Sequence, residues 1–242
     1  MKILYNISIG LYHLLIICFS PFNKKAKLWL KGRKRIFNDL EKKLNRKNKL
    51  FWFHAASLGE FEQGRPVIET LKRENPGCFV LLTFFSPSGY EIRKNYEGAD
   101  IVMYLPFDYP WNVKKFLNIV KPDAAIFIKY EFWYNYISAI HNRNIPLILI
   151  SAIFRKEQIF FKWYGGWFRK ALSYYRYIFV QNNESKDLLK LIGLSDVIVS
   201  GDTRFDRVSE IKNDKTKNKL VACFKNGKTI LIGGVPGIRM KT

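Results

Sequence analysis

Cysteine, histidine and acidic residues are all scarce in this chain of 242 residues: it has three Cys, three His and 20 Asp or Glu, against 41 Lys or Arg. Cys18, Cys78 and Cys223 are widely spaced, in apolar surroundings and without a CxxC pair. That argues against a disulfide framework and reads as buried thiols in a reducing compartment. His13, His54 and His141 lack metal-ligand spacing, so neither a protein-held metal nor a cofactor is expected. The shortage of acids leaves a formal net charge of +21, which requires an anionic partner or an anionic surface nearby. Nucleic acid and anionic lipid are the two candidates. A hydrophobic fraction of 48% excludes a disordered chain and is ample for a packed core.

The apolar residues are unevenly placed. Residues 3–22 are apolar apart from interruptions such as Asn6, Ser8 and His13, about the length that a bilayer-spanning helix requires. Twelve basic residues and two acids, Asp39 and Glu41, follow in residues 24–49. Basic residues after the apolar run, with no small-residue cleavage site, argue against a cleaved signal peptide. The expectation is a membrane-anchor helix at 1–22 and a basic juxtamembrane segment at 23–49, with the rest of the protein on the cytoplasmic side. Asn6 and His13 leave open whether the helix spans the bilayer or lies in its interface.

From residue 50 onward short apolar runs alternate with helical patterns. Strands are expected at 50–54, 78–83, 101–104, 124–128, 146–151, 177–180, 197–200 and 229–232, and helices at 66–74, 89–95, 110–120, 132–142, 163–174 and 184–192. Continuous apolar strands between helices imply a parallel sheet buried on both faces, hence a doubly wound, Rossmann-like α/β domain over residues 50–208. A Lys-rich connector at 209–219 precedes the last strand. Residues 209–242 therefore read as a linker and the start of a second domain that is not present.

The run Phe51-Trp52-Phe53-His54-Ala55-Ala56-Ser57-Leu58-Gly59-Glu60 is a strand that breaks at a small-residue turn carrying an acid. In open α/β sheets ligands collect outside the carboxyl ends of the strands, so Glu60 stands where chemistry is usually done. Pro66 is compatible with the following helix only near its start, which puts Glu60 at or just before a helix N-terminus. Free N–H groups there favour the ionised carboxylate, as a general base requires, and they equally suit a plain helix cap. His54, at the strand end, orients a partner or is a satisfied core histidine. Ser57 and Gly59 shape the turn, Gly59 either admitting a ligand to the backbone or meeting a φ > 0 requirement. Thr83, Ser86, Ser88 and Gly89 form a second strand-end loop, suited to phosphate or sugar hydroxyls and also to an ordinary turn. Glu131 places a second acid on the same rim. An aromatic set including Phe132, Trp133, Phe160, Trp163, Tyr164 and Trp167, interleaved with Arg155, Lys156, Lys162, Arg169 and Lys170, suits stacked bases or a membrane interface, with about half of the rings left for core packing. No RRM or KH pattern accompanies them, which favours lipid over nucleic acid.

Five segments in register resemble the Kdo transferases that build the inner core of lipopolysaccharide: His54-Ala55-Ala56-Ser57-Leu58-Gly59-Glu60, Ser86-Pro87-Ser88-Gly89, Leu105-Pro106-Phe107-Asp108, Glu131-Phe132-Trp133-Tyr134-Asn135 and Ser200-Gly201-Asp202-Thr203-Arg204-Phe205-Asp206. The resemblance implies the N-terminal, acceptor-binding half of an inverting glycosyltransferase of GT-B architecture at the cytoplasmic face of the cell inner membrane. It would move 3-deoxy-D-manno-octulosonate (Kdo) from CMP-Kdo to a lipid A precursor, with Glu60 as catalytic base and Ser57, Gly59, Thr83, Ser86, Gly89 and Glu131 binding substrate. CMP-Kdo would be held mainly by the C-terminal domain. The sequence departs from the family at Lys129, where many members carry an acid, and in its last eight residues. Members commonly read Gly-Gly-Ser-Thr-Trp where this chain reads Gly233-Gly234-Val235-Pro236-Gly237. One base restored to its codons gives Ser-Thr-Trp-Asp-Lys-Asp-Glu-Asn, so residues 235–242 are expected to be a frameshift product, and the chain to be inactive without a donor half. The alternative from another class is a non-enzymatic basic module that binds membrane or RNA.

Overall fold

The computed structural model describes residues 1–45, 48–129 and 131–203. The expected connector, the strand at 229–232, Cys223 and the tail at 235–242 lie outside the described residues. Seven strands, β1 (Leu50–Ala55), β2 (Phe79–Phe84), β3 (Ile101–Tyr104), β4 (Ala124–Ile128), β5 (Leu147–Ala152), β6 (Tyr177–Val180) and β7 (Val197–Val199), form one parallel sheet. The strand order is β3-β2-β1-β4-β5-β6-β7. The chain winds outward from β1 through β2 to β3, then returns to lay β4 against the other side of β1. The topological switch point, where open α/β sheets form their crevice, is therefore the gap between the carboxyl ends of β1 and β4.

Both faces of the sheet are apolar because residues of either parity along each strand are buried. Trp52, Leu81, Ala125 and Phe127 face a core completed by Phe116 and Leu117 of α6 (Pro110–Val120) and by Tyr136 and Ile137 of α7 (Tyr134–Asn142). Phe53, Leu82, Phe84, Ile126 and Ile128 face the other core, covered by Phe61 and Ile68 of α4 (Leu58–Glu74). Each of these large side chains, fully buried, contributes roughly 1.5–3 kcal/mol. Helix α4 starts at Leu58, well before Pro66, which lies inside it. Gly64 is what its sequence pattern hid: a Cβ there would meet Ile128 Cδ1 at 2.2 Å, so glycine permits the close crossing of α4 over β4.

The segment before the sheet carries more order than its charge suggests. Helix α1 (Lys2–Phe19) is followed by α2 (Lys24–Lys31) and α3 (Ile36–Lys43), and Trp29, Ile36 and Leu40 are buried. The basic residues 24–49 thus supply an apolar face to the domain, with Leu40 in the same core cluster as Met103 and Tyr104. Helix α1 belongs to the same compact unit and buries only Ile9. Its outer face shows Ile3, Leu4, Ile7, Leu11, Leu14 and Leu15 to solvent. Cys18 is exposed, contrary to the reading of all cysteines as buried, because it lies on that outer face; Cys78 is buried.

Candidate active site

The β1–α4 turn places Glu60 in the first turn of α4, where its Oε2 accepts hydrogen bonds from the backbone N–H of Ala56 at 2.7 Å and of Ser57 at 3.2 Å. Ser57 is the N-cap of α4, and Glu60 closes a capping box onto it. The expectation that backbone amides keep this carboxylate readily ionised is corrected by its surroundings. Burial first, and the negative charge of Glu131 second, lift Glu60 from the ordinary carboxyl range to about 7; the Ala56 amide and the charge of Lys129 pull the other way without prevailing. Gly59 is exposed, a Cβ there would meet nothing within 4 Å, and it is not among the positive-φ glycines. Neither packing nor backbone conformation demands glycine, and the first turn of α4 is open to an approaching molecule.

Glu131 follows β4 across the switch point and is only 5% exposed. Its Oε2 lies 2.9 Å from His54 Nε2 and accepts a hydrogen bond from Trp133 Nε1, while its backbone carbonyl accepts from Tyr175 Oη at 2.8 Å. His54 Nδ1 is 2.9 Å from Thr83 Oγ1, which accepts from Trp52 Nε1 at 2.8 Å. The donor inventory fixes the polarity at the two ends of this buried chain. An indole N–H can only donate and a carboxylate can only accept. The Thr83 hydroxyl accepts from Trp52 and donates to Phe53 O at 3.3 Å, His54 Nδ1 lies 3.1 Å from Thr83 O as well as beside that hydroxyl, and His54 Nε2–H donates to Glu131. Thr83 is fully buried, with its hydroxyl and its carbonyl both beside His54 Nδ1.

The second loop divides in the same way. Ser86 caps α5 (Pro87–Arg93), its Oγ accepting from Ser88 N–H at 3.3 Å, and its own N–H donates to Ala56 O at 2.8 Å, which ties the two rim loops together. Gly89 is buried, and a Cβ there would lie 2.3 Å from the Phe84 ring; its glycine serves packing. The remaining motifs also converge on the carboxyl edge. Asp108 Oδ2 accepts from Tyr5 Oη at 2.5 Å and from Asn135 N–H at 3.2 Å, and its Oδ1 accepts from Tyr136 N–H at 3.0 Å. One carboxyl thereby caps α7 and clasps α1, and burial lifts it to about 7. Sequence reasoning gave Asp108 no task, because the helix it caps starts far along the chain. Thr203 Oγ1 donates to Gln63 O at 2.7 Å, docking the start of the fifth motif on α4. Lys129 and Ser151, at the ends of β4 and β5, have φ of 70° and 55°, so the rim holds backbone that non-glycine residues rarely adopt. Among the described residues no group of three His, Cys, Asp or Glu could hold a metal ion. Of the aromatic set, Phe160 is buried, whereas Trp163 is 91% and Tyr164 56% exposed.

Residues 31–207 match the family model described as 3-deoxy-D-manno-octulosonic-acid transferase (kdotransferase). The chain belongs to the Kdo transferase family. Three curated 3-deoxy-D-manno-octulosonic acid transferases are similar to it. That of Aquifex aeolicus is 33% identical over 156 residues, 64% of this chain and 40% of the relative. That of Haemophilus influenzae is 32% identical over 102 residues, covering 42% and 24%. That of Bordetella pertussis is 29% identical over 162 residues, covering 64% and 37%. The chain thus matches two fifths or less of the length of these relatives. In fold it is similar to the UDP-GlcNAc 2-epimerase of Neisseria meningitidis solved with UDP-GlcNAc, with a TM-score of 0.54 at 19% identity over 74% of this chain and 53% of that one. The Methanocaldococcus jannaschii UDP-GlcNAc 2-epimerase gives 0.53 at 17%, over 75% and 53%. These likenesses agree with a GT-B-like, Rossmann-type half and extend to the fold alone.

Proposed function

We propose that this chain is the acceptor-binding half of an inverting glycosyltransferase that moves Kdo from CMP-Kdo to a lipid A precursor, with Glu60 as the general base. The observation that carries this reading is a half-buried carboxylate at the switch point, lifted to about 7 and open to solvent beside Gly59. A base poised near the working pH exists in useful amounts as carboxylate and still accepts a proton with a driving force. The acceptor hydroxyl would lose its proton to Glu60 while its oxygen attacks the anomeric carbon of Kdo from the side opposite the nucleotide. One bond forms there, the bond to CMP breaks, and the configuration inverts. Ser57, Gly59 and Ser86 border the acceptor, and Glu131 sets the local field. CMP-Kdo would be held mainly by a further domain.

Helix α1 is long and apolar enough to cross a membrane by length and composition, with a mean hydropathy of 1.6. Yet Tyr5 bonds Asp108, Asn6 Oδ1 accepts from Asn135 Nδ2 at 2.8 Å and His13 Nδ1 lies 3.0 Å from Tyr109 Oη. We read a helix held to the α/β domain at Tyr5, Asn6 and His13 as lying in the interface, outer face down, at the cytoplasmic face of the inner membrane. The +21 charge would add attraction to anionic lipid. Flotation with vesicles carrying lipid A precursor tests both statements. The chain should float, less so as salt rises, and the combined Leu4→Ser, Leu11→Ser and Leu15→Ser variant should stay at the bottom. A chain that floats equally well with those three substitutions would remove the interfacial role of α1, and indifference to lipid A precursor would remove the acceptor assignment.

A further inference from the structure

Lys129 stands where β4 ends and the rim begins, two residues before Glu131, and it is half-buried. Its backbone has a φ of 70°, and Ser151 at the end of the neighbouring β5 has one of 55°. The two strand ends are joined, because Lys129 N–H donates to Ile150 O at 2.9 Å. Glycine reaches this left-handed region freely, whereas a lysine held there costs the backbone and points to a task for its side chain. Because β4 lies beside β1, Lys129 borders the switch-point crevice from the side opposite Glu60. The two groups act on each other: the charge of Lys129 pulls Glu60 down, while that of Glu131 pushes it up. This mouth of the sheet therefore sets a lysine against two acids. Many members of the family carry an acid at this position, so the arrangement is a property of this chain.

The transfer described above brings a third negative charge to the same place. In a sugar acid of this kind the carboxylate is attached to the anomeric carbon itself. The oxygen that attacks this carbon must come within hydrogen-bond reach of the base, about 2.6–3.2 Å. The sugar's carboxylate thus arrives one bond from the reacting carbon, close to Glu60 and facing the charge of Glu131. Like charges brought together in a half-buried site repel, and a fixed cation beside them offsets the repulsion. We propose that Lys129 is a specificity-determining residue, whose ammonium group holds the carboxylate of the transferred sugar acid. Selection follows from charge, since a neutral sugar of the same shape leaves the ammonium group without its anion. The inference rests on the reading of Glu60 as the base in Kdo transfer and adds to it a contact for the donor sugar on this half of the enzyme.

NMR titration of the full chain with free Kdo, and with the neutral amide of its carboxyl group, tests it. Kdo should bind about tenfold or more tightly than the amide. Lys129→Met keeps an unbranched side chain, so it meets the φ of 70° as lysine does, and it should lose the preference. Lys129→Arg keeps the charge and should keep most of the preference. Glu60→Gln removes a neighbouring negative charge and should bind Kdo at least as tightly as the unaltered chain. The turnover of Glu60→Gln tests the transfer reading, and the preference for carboxylate over amide tests Lys129, so the two can fail separately. Equal binding of Kdo and its amide by the unaltered chain, or binding of neither, would overturn the proposal. So would a Lys129→Met variant with an unchanged circular dichroism spectrum that still prefers Kdo.

Discussion

Glu60 and Glu131 stand on neighbouring strand ends of one sheet edge, and their surroundings differ in kind. Glu60 is half-buried and held by two backbone N–H groups, with no side-chain partner for its carboxylate in the described structure. Glu131 is buried, and two side-chain N–H groups, from His54 and Trp133, meet one of its oxygens. A carboxylate fixed only by its own helix turn can take up and release a proton without disturbing the core. One that meets the side chains of His54 and Trp133 inside the core is tied into a buried network, where a change at one member is felt by the others. The difference separates a carboxylate at the open rim from one locked into the core.

The sharpest way to break this comparison is to neutralise each acid, in the chain supplied with the C-terminal half of a relative. Glu60→Gln keeps size and hydrogen bonding but removes the base, and kcat should fall by about 10²–10⁴ with acceptor affinity little changed. Near-normal turnover would return Glu60 to the status of a helix cap. Glu131→Gln should act through Glu60. With the neighbouring charge gone, one cause of the raised Glu60 pKa disappears. In the unaltered enzyme a base with a pKa of about 7 is active when deprotonated, so kcat/KM should rise with pH through about 7 and level off above it. In Glu131→Gln that rising limb should move to lower pH. A limb that stays in place would show that the two acids do not communicate.

Smaller effects sharpen the distinction between support and contact. Thr83→Val leaves Trp52 Nε1–H unmet in the core and removes the hydroxyl beside His54 Nδ1, and should cost about 1–3 kcal/mol of stability by denaturant melt. Gly59→Ala has the smallest expected cost to the fold. Nothing stands within 4 Å of the new methyl group, and alanine is the better helix former, so stability should hold or rise by up to about 1 kcal/mol. If acceptor contacts Gly59, its affinity should nevertheless drop. A variant that binds acceptor unchanged would confine the contact to other parts of the rim.

The apolar runs determined the sheet, because strands buried on both faces cannot be written with polar residues, and the small-residue turn after Ala55 determined that an acid would sit at the mouth of α4. The outward apolar face of α1 and the excess of Lys and Arg were equally legible. Only the tertiary structure decided the rest. His54 and Glu131 are 77 residues apart and meet because β4 returns to lie beside β1, a choice of strand order that no local periodicity encodes. Asp108 caps a helix that begins at Tyr134, and its partner Tyr5 lies 103 residues away, so neither contact leaves a mark in nearby sequence. The lifted pKa of Glu60 is of the same kind. Desolvation belongs to the whole arrangement of atoms around a group, whereas helix periodicity and turn chemistry belong to a few consecutive residues.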